Sequence, residues 1–335
     1  MTDNSEMAGT DRQALTARIK AHAHALGFSH VGVAEAMALE PERARLEAWL
    51  ARGFHAGMQW MARDPERRTD PSRVLPGARS VIVVARNYFH PVRHSDDPQH
   101  GKISRYAWGD DYHDRMTPQV EALATLVEAE AEGAATRVYV DTGPSLDKAW
   151  AVRAGIGWQG RHSNVITRDM GSWVFLGVIF TTALLVPDDP IADFCGTCTA
   201  CIDACPTAAI VEPYVVDSTR CIPYLTIELK DEEIRGVDAR QLDTWVFGCD
   251  ICQDVCPWNR FETPSMEECY APRTTARAPE LTGLANISDE DFRERFKGSP
   301  VVRAKARGMR RNARTVLHAR ESHCTSPMRD EHRND

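Results

Sequence analysis

Eight of the ten cysteines in this 335-residue chain fall into two blocks and one residue between them. The first block is Cys195-Gly-Thr-Cys198-Thr-Ala-Cys201-Ile-Asp-Ala-Cys205-Pro206, and the second is Cys249-Asp-Ile-Cys252-Gln-Asp-Val-Cys256-Pro257. Cys221 stands alone between them. Three thiolates spaced two residues apart wrap a short loop around one iron–sulfur cubane, and the x3-Cys-Pro step carries the chain to a neighbouring cubane. The second block lacks one cysteine of a full run, and Cys221 is its natural replacement. The spacing predicts two 4Fe–4S clusters in a crossed arrangement. Cys195, Cys198, Cys201 and Cys256 would hold one, and Cys205, Cys221, Cys249 and Cys252 the other. Zinc needs only four ligands and leaves the two Cys-Pro endings unexplained. Disulfides fit poorly with such dense spacing in a chain without a secretory signal. Cys269 and Cys324 lie outside the pattern and read as ordinary thiols.

The rest of the chain must position these clusters and give them something to do. Its length suits two or three domains, and 43% apolar with 26% charged residues excludes global disorder. The longest apolar stretch, Trp173 to Val186, is broken by Gly177 and two threonines. It is too short for a membrane span and reads as buried strand. Absent targeting, free thiols and oxygen-sensitive clusters predict a cytoplasmic protein without membrane contact.

Strands are expected at Ser80 to Ala85 and at Arg137 to Val140, the latter running into an Asp141-Thr-Gly-Pro144 turn. Thr10 reads as the cap of a first helix ended by Gly27, and Thr117-Pro118 as the start of a second closed by Gly133. Strands alternating with helices over residues 1–190 predict an α+β fold, with an α/β-type N-terminal domain. Residues 191–262 would form a ferredoxin-like double-cluster domain. Residues 263–335 would supply a linker or wrapping loop (263–282), a basic helical segment and a polar tail fraying from Glu321.

The net charge of −8 conceals an asymmetry. From Lys297 to Arg320 there are eight Lys or Arg and no acid, so the remainder carries −8 − 8 = −16. Arg303, Arg307, Arg310, Arg311 and Arg314 recur at helical steps, either as a solvated face or as a contact for a nucleic-acid backbone. Gly155-Ile-Gly157-Trp-Gln-Gly160 matches the dinucleotide-binding glycine pattern, but helix rather than strand is predicted before it. The glycines therefore read as a helix cap and loop.

Two clusters move single electrons but choose no substrate. The run Ile103-Ser-Arg-Tyr-Ala-Trp-Gly-Asp-Asp-Tyr-His113 resembles a signature of the epoxyqueuosine reductases. So do Val140-Asp141-Thr-Gly-Pro144, Arg153-Ala-Gly-Ile-Gly157-Trp158 and Gly171-Ser-Trp-Val-Phe-Leu-Gly177. With the cysteine blocks behind them, the resemblance covers residues 10–318. It implies a monomeric cobalamin enzyme with two 4Fe–4S clusters, fed by a flavodoxin or ferredoxin system. Its reaction would reduce epoxyqueuosine in tRNA to queuosine with loss of water.

The resemblance also implies roles. Asp141 matches the family's proton donor, whose acid form burial would favour, although an Asx-turn is the plain reading of its spacing. Arg68, Ser104, Asp141, Val165, Thr167 and Leu176 align with cobalamin contacts. Asp111-Tyr-His113 is similar to the motif of base-on cobalamin proteins, but Met116 stands at its glycine position. A base-off cofactor with a structural His113 fits better. The arginines from Arg303 to Arg314 become candidate tRNA contacts. Some relatives carry a longer C-terminal extension with helical repeats, and the resemblance leads to the expectation that any tRNA contact made by it is absent here. The competing expectations are a dehalogenase-like cobalamin reductase of a small molecule and an electron-transfer adaptor.

Overall fold

The structure is a computed structural model that describes residues 4–324, with side chains from 11 to 321. Four strands form its central sheet: β1 (His30–Glu35), β2 (Ser80–Asn87), β3 (Thr136–Tyr139) and β4 (Val174–Thr181). Their spatial order is β1-β2-β4-β3, and every neighbouring pair is antiparallel. The domain is therefore α+β, without the parallel crossovers of an α/β sheet.

All eight residues of β2 are buried, because helices cover both faces of the sheet. Ile82 and Val84 point to one side, where Ile19 of α1 (Asn4–Ala25) and Val120 and Leu123 of α2 (Tyr112–Glu130) pack. Val81, Val83 and Ala85 point to the other, against Trp150 of α3 (Asp147–Arg153) and Phe180. A strand buried on both faces loses its polar alternation, which is why Ser80-Val-Ile-Val-Val-Ala85 reads as a continuous apolar run. The α3 side comes so close that a Cβ on Gly32 would lie 1.9 Å from the Ala154 carbonyl oxygen. Gly32→Ala is expected to cost about 1–3 kcal/mol of unfolding free energy by overpacking, measurable by denaturant titration.

Three boundaries differ from expectation. α1 begins at Asn4, so Thr10 lies within the helix. α2 begins at Tyr112, capped by Asp111, which accepts from the His113 amide at 3.0 Å, and Pro118 sits inside it. Thr117-Pro118 imitates a helix start, but the buried Tyr112 and Met116 anchor a turn upstream of it. The helical segment continues to Cys324 rather than fraying from Glu321, and residues 325–335 lie outside those described. The Gly155 reading is matched, since that residue ends α3 with φ +69°.

Residues 263–282 wrap the first domain: Ser265 donates its amide to Phe89 and Arg273 its amide to Trp108. They lead into a helical layer with its own core, where Leu281, Leu284, Phe292, Phe296 and Met309 pack on Ile103, Ala107 and Trp108. Its last helix is α4 (Lys305–Cys324). Residues 103–108 are thereby pinned between the sheet domain and the helical layer. No helix among the described residues is long and apolar enough to cross a membrane.

Candidate active site and cluster centres

Among the described residues no three His, Cys, Asp or Glu side chains are gathered closely enough to hold a metal ion, and what relates the cysteines is which thiols act on one another electrostatically. Burial pushes the Cys201 thiol up to about 11, and its next neighbours are Cys256, Cys195 and Cys198. Burial likewise raises Cys221 to about 12, with Cys205 the thiol beside it. Cys249 is raised by burial and then by Cys252 and Cys221. Cys252 is raised by burial and then by Cys221, with Cys201 of the other group and Cys205 also near. Thiols crowded in this way repel one another as thiolates, and a bound cation centre is what makes the deprotonated set stable. Cys198 is exposed, while Cys201 and Cys256 are buried.

Beside the second group lies a cavity of about 290 Å³, with Cys249 and Gly248 on one wall and Tyr106, Tyr112, Val165 and Leu176 on others. Ser104 and Lys148 also line it. Ser104 is held by its hydroxyl, which donates to the fully buried Asp250. Asp250 also accepts the Arg105 amide at 2.8 Å, so the 104–105 turn is clasped to the cluster domain. Burial raises the Asp250 carboxyl to about 7, opposed by the Ser104 hydrogen bond. Of the residues expected to contact cobalamin, Ser104, Val165 and Leu176 meet here. Thr167 is fully buried with its hydroxyl on the Gly171 carbonyl at 3.1 Å, outside this lining. Arg68 also lies outside it, near Asp147, and its guanidinium donates to the Trp60 carbonyl at 2.7 Å.

Asp141 follows β3 with φ +57°, a left-handed conformation that Asp tolerates better than most residues. Its Oδ2 accepts from the Tyr112 hydroxyl at 3.0 Å and lies 3.8 Å from His113 Nε2. The side chain is 71% exposed and lies outside the cavity lining, bonded to Tyr112, which belongs to that lining. Its enclosure by surrounding protein pushes the carboxyl pKa up. The His113 ring 3.8 Å away, the Tyr112 hydrogen bond and the Lys148 charge outweigh this and hold it below the ordinary value. The raised Asp141 pKa expected from burial is therefore not what this protein surface alone provides. Buried Asp147 behaves that way instead, raised to about 6.

The five arginines divide by environment. Arg311 is buried, and its guanidinium donates to the carbonyls of Leu225, Leu229 and Asp231. It is a strut for the 225–231 segment, which corrects its expected place on a nucleic-acid-facing surface. Helical periodicity could not tell which arginine turned inward. Arg310 donates to the Ile287 carbonyl and pairs with Asp289 at 2.8 Å. Arg303 pairs with Glu228 at 2.5 Å and also feels the charge of Asp141. Arg307 and Arg314 are exposed and line a groove beside α4 with Glu232 and Glu233.

Residues 68–142 match the family model for epoxyqueuosine reductase QueG (DUF1730), and residues 194–259 match the 4Fe–4S double cluster binding domain. The chain is 49% identical to an epoxyqueuosine reductase of Synechocystis sp. over 290 residues, which is 86% of this chain and 100% of the relative. The chain belongs to the epoxyqueuosine reductase family. A Gloeobacter violaceus epoxyqueuosine reductase is 47% identical, covering 90% of this chain and 96% of its own. Among solved structures, an epoxyqueuosine reductase with a tRNA-Tyr epoxyqueuosine-modified stem loop superposes with TM-score 0.85 at 31% identity. That match covers 91% of this chain and 81% of the other. The Streptococcus thermophilus epoxyqueuosine reductase matches with TM-score 0.82 at 28% identity, over 90% of this chain and 80% of that one. All eight clustered cysteines fall inside the double-cluster domain, so the iron–sulfur reading prevails over zinc.

Sequence reasoning missed Tyr112 and Lys148 and read His113 as merely structural. The signal was present in part, because Asp111-Tyr-His113 places three polar groups on the first turn of α2.

Proposed function

We propose that the chain reduces epoxyqueuosine in tRNA to queuosine, with two electrons and two protons removing the epoxide oxygen as water. One observation carries the reading. Tyr112, which donates its hydroxyl to Asp141, and Cys249 of the second cysteine group line the same cavity, so a candidate proton donor and a candidate electron source adjoin one space. Full-length similarity to epoxyqueuosine reductases supports the substrate.

Cobalamin fits the residues present. Among the described residues Arg68 Nε is buried with no hydrogen-bond partner, and Lys148 lines the cavity and donates to the Asn164 side-chain oxygen at 2.7 Å. Ser104, Val165 and Leu176 would hold the corrin, with Thr167 and Arg68 at its edge. When bound, it would supply low-valent cobalt chemistry for reducing the epoxide. The first cluster, with exposed Cys198, would take electrons from a flavodoxin- or ferredoxin-type carrier. His113 is not among the residues lining the cavity, and its Nε2 faces Asp141 Oδ2 at 3.8 Å, which supports base-off binding without a protein ligand.

Asp141 would protonate the departing oxygen, and Tyr112 would orient the carboxyl for it. The extruded base would enter past Arg303, with Arg307, Arg310 and Arg314 toward the flanking backbone. The working protein would be a cytoplasmic monomer. The test is an anaerobic single-turnover assay with tRNA bearing epoxyqueuosine, cobalamin and a strong reductant, read by nucleoside mass spectrometry. Cobalamin-dependent queuosine formation is expected; its absence with clusters and corrin intact would move the assignment to a small-molecule reductase.

Replacing both Arg307 and Arg314 with Glu is expected to weaken tRNA binding. It should also flatten the log-log salt dependence by about 0.7–0.9 per lost phosphate contact. A salt slope equal to the parent's would return α4 to a solvated surface.

A further inference from the structure

The proposed reaction consumes two protons for each oxygen leaving as water, and Asp141 can carry only one. It is also held as a carboxylate in this structure. Asp141 must therefore be recharged with a proton within each turnover, and the structure places a candidate carrier beside it. His113 Nδ1 lies 2.7 Å from Asp111 Oδ1, and the same Asp111 oxygen accepts the His113 backbone amide at 3.0 Å. Its ring stacks on Tyr112 with centroids 4.0 Å apart and planes at 29°. These two restraints leave Nε2 facing Asp141 Oδ2 at 3.8 Å.

We propose that His113 is a positioning residue that supplies protons to Asp141, completing an Asp111–His113–Asp141 relay; this rests on Asp141 as proton donor. In the step, the Nε2–H bond of the imidazolium breaks and an Oδ2–H bond forms on Asp141. Asp141 then passes that proton to the departing oxygen. The imidazole ends neutral and is recharged from solvent, with no electrons moved in the relay. At 3.8 Å the gap exceeds a hydrogen bond, so transfer needs a small swing of the 141–146 turn or one bridging water.

The electrostatics agree with this arrangement. Burial disfavours the His113 cation, but the hydrogen bond and charge of Asp111 and the nearby Asp141 carboxylate prevail and raise its pKa to about 9. Arg273 bears on Asp111, and Lys148 bears on Asp141. Arg303 and Tyr106 are also coupled to Asp141. Asp147 also bears on Asp141, and Tyr112 stacks on the His113 ring. At neutral pH the stored proton sits on His113, and it is lost as pH rises through about 9.

The test combines titration and turnover. NMR titration of the His113 ring, which needs neither cofactor nor tRNA, should give a midpoint near 9 that falls in Asp111→Asn. In single turnover, the parent rate should drop above that pH, and Asp111→Asn should shift the drop downward by the same interval. His113→Ala should lose about 10²-fold in rate and lose the basic limb altogether. A His113→Ala rate within about twofold of the parent would overturn the relay, as would a basic limb that ignores Asp111→Asn. Asp141→Asn run alongside separates the two levels. If it stays active, the donor reading fails; if it is inactive while His113→Ala is not, only the relay fails.

Discussion

Asp141→Asn is expected to lower the single-turnover rate by about 10²–10⁴-fold, the range general acid catalysis contributes. Cluster spectra and cobalamin binding should be unchanged. Asn is the informative substitution because residue 141 has φ +57°. Asn tolerates that left-handed conformation, whereas Ala would add backbone strain and confuse a lost acid with a distorted turn. The amide can still accept the Tyr112 hydroxyl through its oxygen, so the side chain keeps its aim. What disappears is the proton that must reach the epoxide oxygen, since an alkoxide leaves poorly. Mass spectrometry of nucleosides after one anaerobic turnover reads the effect directly. A rate near that of the parent would remove Asp141 from the chemistry.

The site was legible in unequal parts. The cysteines were plain because cluster ligation constrains spacing along the chain, so eight residues announced themselves. β2 was equally plain, since a strand buried on both faces cannot carry polar alternation. The helix starts were hidden. Thr117-Pro118 obeys local capping rules, yet burial of Tyr112 and Met116 extends α2 upstream through contacts no local rule contains. Arg311 was hidden for a related reason. Five arginines at helical spacing look alike until the 225–231 segment folds against one of them and captures its guanidinium.

The proton machinery lay between these extremes. Asp141 came from resemblance, while its partners Tyr112 and His113 come from a helix whose first turn meets the end of β3. That meeting is a long-range fact: residues 112 and 141 share no motif, only a hydrogen bond. Lys148 likewise gains meaning from Asn164 and the second cysteine group, which the sequence places far away.

Cys205→Ser should erase the signal of one cluster, leave the other, and reduce queuosine formation to background. The residue belongs by sequence to the first cysteine block. In the fold it lies beside Cys221 and Cys252, and its Sγ accepts the Ala209 amide at 3.3 Å. If the ligand sets were uncrossed, the substitution would instead damage the cluster of Cys195, Cys198 and Cys201. Cys256→Ser is the mirror variant, expected to remove that first cluster and spare the second. Electron paramagnetic resonance of the reduced proteins distinguishes the two cases, and identical losses in both variants would leave the crossing without support. The activity prediction follows from the path. Cys198 is exposed, Cys201 is electrostatic neighbour to Cys252, and Cys249 faces the cavity. Electrons entering at the surface must cross from the first group to the second before reaching the substrate side. Loss of the inner cluster interrupts that path at its last step, so a strong soluble reductant would restore turnover only by reaching the cavity directly.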